Sequence, residues 1–135
     1  NSNYYYLYIN FIVRYSKQRE TIHHIIANTK SHPTADWIYQ ESKKKIPNIS
    51  LGTVYRNLKS LEKSGQIIAI PTGNAVRYDG NIEKHNHLKC TECNELVDVI
   101  IFQEDISKSM LKKYNFKVEE IDVIILGKCV KHKLR

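Results

Sequence analysis

The sequence predicts an α+β protein, a winged helix-turn-helix domain over residues 1–79 followed by a small α/β domain over residues 80–135. Three observations predict it. Apolar residues recur at helical spacing through the first half, two short β-like runs flank a turn immediately afterwards, and beyond Asp79 strand-like runs replace the helical pattern.

From Lys17 to Asn28, Ile22, Ile25 and Ile26 recur at i, i+3 and i+4, which places one stripe inward. His32-Pro33-Thr34 breaks that helix. Thr34 is suited to cap the next one and Asp36 to its positive end; Ala35 and Ile38 turn inward, and Pro47 stops the helix soon after Lys45. A third helix is capped by Ser50, carries Val54, Leu58 and Leu61 on one face, and ends at Gly65, where a left-handed residue belongs. Its opposite face is polar and basic, with Thr53, Arg56, Lys59 and Lys63, and with Asn57 and Ser60 alongside. Gln66 to Ile70 and Ala75 to Asp79, joined by Pro-Thr-Gly-Asn, form a hairpin. Next come strands around His87 to Cys90 and Leu96 to Ile101. A helix from Glu104 to Tyr114 buries Ile106, Met110 and Leu111, and a β-rich run spans Val118 to Leu126. So small a second domain exposes an apolar sheet when alone, so it is expected to pair with a second copy as a dimerisation domain. The tyrosine-rich start, Tyr4 to Val13, fits a helix packed on the first domain.

Charge is unevenly placed. Residues 1–80 carry a net +6 and residues 81–135 a net +1, which directs a polyanion, nucleic acid first, to the N-terminal half. The longest mostly apolar run, Leu7 to Val13, is far short of the roughly 20 residues that cross a bilayer, so no membrane partner is expected. Three cysteines, an odd number, argue against a disulfide framework and for a reducing, cytoplasmic setting in which Cys-x-x-Cys means metal or redox chemistry.

Cys90-Thr-Glu-Cys93 has the spacing that brings two thiolates to one tetrahedral ion, and Cys129-Val-Lys-His132 repeats it. Together they make a candidate structural Zn(2+) site of Cys3His type, with His132 the candidate fourth ligand. A redox reading lacks a surrounding βαβ pattern, and a zinc-deaminase reading lacks both His-x-Glu and Pro-Cys-x-x-Cys. On a strand, His85 and His87 share a face and Cys90 takes the other, so two imidazoles address an ion that Asp79, Asp98 and His32 are available to join. No Ser-His-Asp set, His-Glu-x-x-His or phosphate loop accompanies these groups, which argues against an enzyme.

His32-Pro-Thr-Ala-Asp36, Ser50-Leu-Gly-Thr-Val-Tyr-Arg-Asn-Leu58, Arg77-Tyr-Asp79, His85-Asn-His-Leu-Lys-Cys90 and Cys93 occur in order over nearly the whole chain. In this the chain resembles the ferric-uptake-regulator family. The resemblance implies a homodimeric, metal-dependent transcriptional repressor with a structural zinc and a regulatory Fe(2+) or Mn(2+). The peroxide-responsive branch is the better match: its three His and two Asp ligands correspond to His32, Asp79, His85, His87 and Asp98. Iron-responsive members, the alternative, usually carry Glu where Asp98 stands. Lys84, Asn86 and Ile121 occupy positions where a further metal site of iron sensors has ligands. His132 stands where the family usually has Cys. By the same resemblance Tyr55 and Arg56 contact bases; the free basic face of their helix, Ser50 to Ser64, is the expected DNA reader, with Ser50, Thr53 and Lys59 alongside, and Lys17 and Arg19 are expected on the DNA backbone. A dimer implies an operator with two-fold symmetry, and His32 and His85 are the residues peroxide would oxidise.

Overall fold

The computed structural model describes residues 2–133, in two compact units divided between Ile82 and Glu83. The first holds α1 (Ser2–Ala27), α2 (Ala35–Lys45), α3 (Leu51–Lys63), β1 (Ile68–Pro71) and β2 (Val76–Asp79). The second holds β3 (Asn86–Cys90), β4 (Leu96–Val99), α4 (Glu104–Tyr114) and β5 (Ile124–Gly127).

In the first unit the helices form where the apolar spacing and caps place them. Thr34 Oγ1 accepts from the Trp37 amide at 3.3 Å, and Ser50 Oγ from the Thr53 amide at 3.1 Å, satisfying donors that a helix start leaves open. Beyond α3, Gly65 adopts φ 74°; its N–H donates to Glu62 O and that of Gln66 to Leu61 O, the paired bonds of a Schellman cap that turns the chain into β1. Ile22, Ile26, Ile38, Val54, Leu58 and Leu61 meet Ile49, Ile67 and Tyr78 in one buried core. β1 and β2 pair antiparallel, Ile68 opposite Asp79, as the expected hairpin.

Two expectations here need correction. The first helix begins at Ser2, far ahead of Lys17, and every residue from Tyr4 to Val13 is exposed rather than packed on the unit. Asn57, placed on the polar face of α3, is fully buried: its Nδ2 donates to Thr53 O at 2.8 Å, so the core-facing sector of the helix is wider than the Val54/Leu58/Leu61 stripe.

The second unit is a three-stranded sheet in the order β4-β3-β5, with β3 antiparallel to β4 and parallel to β5. The strand expected to reach Ile101 ends at Val99, and of the run Val118 to Leu126 only the end pairs, as β5. α4 forms as expected but buries nothing: Ile106 and Leu111 are exposed and Met110 is only partly covered. Its spacing makes an apolar face, and among the described residues none of its side chains is fully buried. No helix among the described residues is long and apolar enough to cross a membrane.

Candidate metal centres and nucleic-acid interface

The sulfur-rich cluster is built at one end of the second sheet. The Cys90 N–H donates to Glu95 O and the Asn94 N–H to Cys90 O, with Asn94 at φ 59°, so the chain after β3 folds back tightly and presents Cys90 and Cys93 together. The β3–β5 pairing continues as the Thr91 N–H donates to Gly127 O at 2.9 Å, which delivers Cys129 to the same place. Lys128 clasps Glu92 at 2.8 Å across the two segments.

Cys93 Sγ lies 3.9 Å from Cys129 Sγ, and His132 Nδ1 lies 3.1 Å from Cys129 Sγ and 3.7 Å from Cys90 Sγ. All four ligand atoms fall within 4.8 Å of one another. Four thiolate and imidazole ligands around one zinc at about 2.0–2.3 Å stand roughly 3.3–3.8 Å apart at a tetrahedral angle, so these residues fit such an ion. The cysteines are unpaired with one another. The backbone N–H of Cys93, then that of Cys129, pull the Cys90 thiol down to about 6, whereas burial pushes that of Cys129 up. These amide donors favour the Cys90 thiolate, the form that ligates a metal.

The imidazole and carboxylate groups lie in both units. In the first, His32 sits in a left-handed turn, φ 52°, with its Nε2 3.1 Å from Asp79 Oδ2; both side chains are buried. Arg77 sets this geometry. Its guanidinium donates to His32 O and Ser31 O, each at 2.6 Å, while the Tyr78 N–H donates to Pro33 O. β2 thereby locks the turn that carries His32 beside the carboxylate at its own end, and burial lowers the Arg77 pKa. Gly80 lets that end lie close: a Cβ there would stand 3.1 Å from Ala27 Cα.

In the second unit, His85 Nε2 and His87 Nε2 are 3.1 Å apart, and each is 3.2 Å from Asp98 Oδ1. His87 is opposite Asp98 in the β3–β4 register. His85 Nδ1 meets Glu83 O, which fixes the ring so that Nε2 faces the cluster. Two imidazole nitrogens so close, beside a carboxylate oxygen, need a proton or a cation among them. Neighbouring ligands of a six-coordinate ion bound at about 2.1 Å are roughly 3.0 Å apart, so His85, His87 and Asp98 fit one face of such an ion.

The third group is the outer face of α3. Tyr55, Arg56 and Lys59 are exposed, Thr53 is half-buried, and Arg56 donates to Thr53 Oγ1 at 3.0 Å. Ser50 is held by its cap. Lys17 is exposed, but Arg19 is half-buried, stacked over the Tyr15 ring and donating to Ser60 Oγ at 3.3 Å. Arg77, Glu83 and the Lys128–Glu92 clasp were not read as site residues from the sequence. Only Arg77 left a trace, as a cation two residues before a candidate ligand.

A helical unit ending in a hairpin, joined to a small sheet with a Cys3His cluster, defines a two-unit, metal-site-bearing protein with a basic helix on its surface. The Ferric uptake regulator family model matches residues 11–126, and the chain belongs to that family. It is 34% identical over 119 residues, 87% of this chain and 79% of the relative, to the peroxide-responsive repressor PerR of Staphylococcus epidermidis. The Campylobacter jejuni peroxide stress regulator superposes with a TM-score of 0.74 at 29% identity, over 91% of this chain and 93% of that one. The ferric uptake regulator of Helicobacter pylori, described as having three functional metal-binding sites, gives 0.76 at 27% identity, over 85% and 79%.

Proposed function

We propose that the chain is a metal-dependent, DNA-binding transcriptional repressor that senses peroxide through His32, Asp79, His85, His87 and Asp98. The observation that carries this is the convergence of His85, His87 and Asp98 at 3.1–3.2 Å, with Asp rather than Glu as the carboxylate. Imidazole and carboxylate donors suit Fe(2+) or Mn(2+), and Cys90, Cys93, Cys129 and His132 suit a structural Zn(2+). The bare sheet and uncovered α4 support a homodimer formed through residues 80–135, and the exposed Tyr55, Arg56 and Lys59 support DNA reading by residues 1–79. A dimer of such units calls for an operator with two-fold symmetry.

His32 is on the helical unit and His85, His87 and Asp98 are on the other. A shared ion that binds the DNA-competent arrangement more tightly than any other shifts the population toward it. Ferrous iron, when bound, would activate peroxide beside its own ligands by lending it one electron that the attacked ring later returns. His32 and His85 are the side chains that would take the oxygen: overall, H2O2 and an imidazole C–H give C–OH and water, and the altered ring would hold metal poorly. The repressor then leaves DNA.

Operator retention measured with Fe(2+), with Mn(2+) and with no metal, each before and after brief peroxide, tests this reading. Binding that needs either metal and is lost to peroxide only with iron is the expected result. Release only on metal removal would assign the chain to the iron-responsive type, and metal-independent binding would overturn the mechanism.

A further inference from the structure

The tyrosine-rich start of α1 is unused by any site above. Residues 2–13 continue α1 for about 18 Å, and Tyr4, Tyr5, Tyr6, Leu7, Tyr8 and Phe11 are each at least 62% exposed. From Ser2 to Val13 only Ser2, Asn3 and Asn10 are neither aliphatic nor aromatic, and so extensive an apolar helix surface is one that something covers. The family match begins only at residue 11, so most of this segment lies ahead of what the family shares.

We propose that this helix packs against the same helix of a second copy of the chain. Three features select that occupant. Tyr4, Tyr8, Phe11 and Tyr15 follow one another at steps of four, three and four residues, the seam spacing of paired helices, ahead of the point where Ile22 turns into the core of the first unit. The seam is already ordered within one copy, because Phe11 stacks on Tyr15 at 6.5 Å and Arg19 covers Tyr15 from below. Residues 1–13 carry no charge in a chain of net +7, so two copies meet there without repulsion, and the segment has no Lys or Arg to hold it on an anionic lipid surface.

The area suffices. Tyr4, Tyr8 and Phe11 bring about 150 Å² or more each when covered, so two helices with Leu7 and Ile12 beside the seam remove roughly 1,000 Å² from water, the threshold of a specific interface. This contact is independent of the one proposed for residues 80–135, and together they join dimers into tetramers.

Light scattering on the full chain and on a Tyr4→Glu/Tyr8→Glu variant tests it. Both side chains are exposed, so the variant keeps the core of the first unit, which circular dichroism verifies. The expected result is twice the mass for the full chain at equal concentration, and a dissociation constant for that step raised at least about tenfold in the variant. Amides of residues 2–13 should also exchange slowly in the full chain and quickly in the variant. Equal masses with fast exchange in both would overturn the proposal. So would slow exchange that appears only with lipid vesicles, which would give the helix to a membrane surface. Loss of the dimer in both proteins would count against the homodimer reading above and leave this contact to be judged by the mass ratio alone.

Discussion

Ten apolar side chains lock together in one buried cluster in the first unit, whereas in the second, among the described residues, only Leu96, Cys90, Asn86 and His87 are buried. Full burial of a Leu or Ile stabilises by about 1.5–3 kcal/mol, so the helical unit has a hydrophobic reason to fold by itself. The sheet unit has almost none. Every large apolar side chain of its three strands and one helix but Leu96 is at least partly in water, so the proposed metal tying Cys129 to Cys90 and the proposed second copy would each add what this core lacks. Under the proposed function the difference also divides labour, with DNA reading given to the self-sufficient helical unit and metal dependence to the sheet unit.

The largest expected effect breaks the comparison at its weaker side. In Cys90→Ser, or after chelation, residues 83–133 should lose cooperative unfolding and the dimer should dissociate, since zinc binding in small domains contributes about 10–16 kcal/mol to folding. Calorimetry and light scattering read this, and a Cys90→Ser protein that remains a fully stable dimer would show that the sheet needs no metal. Zinc retained in His132→Ala but lost in Cys129→Ser would move the fourth ligand elsewhere. The same site sets a pH dependence. Because Cys90 is held at about 6 in the fold, below its unfolded value, the stability this thiolate contributes is present above the unfolded value and is lost as pH falls through about 6. Metal retention against a chelator should fall in that window, and retention unchanged to pH 5 would contradict the role of Cys90.

At the stronger side, Leu58→Ala should cost about 2–5 kcal/mol in the first unit and leave the second unit's transition in place. A denaturation curve followed by probes in each unit separates the two, and simultaneous loss would mean that the units do not fold independently. A smaller effect is expected on the outer face of α3: Arg56→Ala should weaken operator binding by about 1–3 kcal/mol and relax specificity if Arg56 reads a base, whereas an equal loss on all sequences would assign it to phosphate. The smallest is Ser50→Ala, about 1 kcal/mol of helix stability from a lost cap, visible as a few degrees in the first unit's Tm.

What the sequence revealed of this fold follows the same division. The caps at Thr34 and Ser50, the Gly65 stop and the Val54/Leu58/Leu61 stripe are local, and local rules place them. The candidate ligands were legible as pairs because i, i+2 on a strand and two intervening residues in a tight turn are also local. The parallel pairing of β5 with β3 joins residues more than thirty apart and leaves no periodic mark. The Arg77 clamp depends on the left-handed turn at His32, which no spacing announces. The periodicity of α4 made an apolar face without saying what lies on it, which is why Ile106 and Leu111 were expected inside and are found in water. Asn57 stands three residues after Val54 and four before Leu61, and that helical position carries it inward although its side chain is polar.

In the proposed function His32 and His85 are where peroxide acts. Mass spectrometry of the Fe(2+)-loaded protein after brief, low peroxide tests it most directly. One added oxygen atom on the peptides containing His32 or His85, absent from the Mn(2+)-loaded protein, is the predicted result. Unmodified histidines with oxidation confined to Cys90 or Cys93 would contradict it and transfer sensing to the thiols.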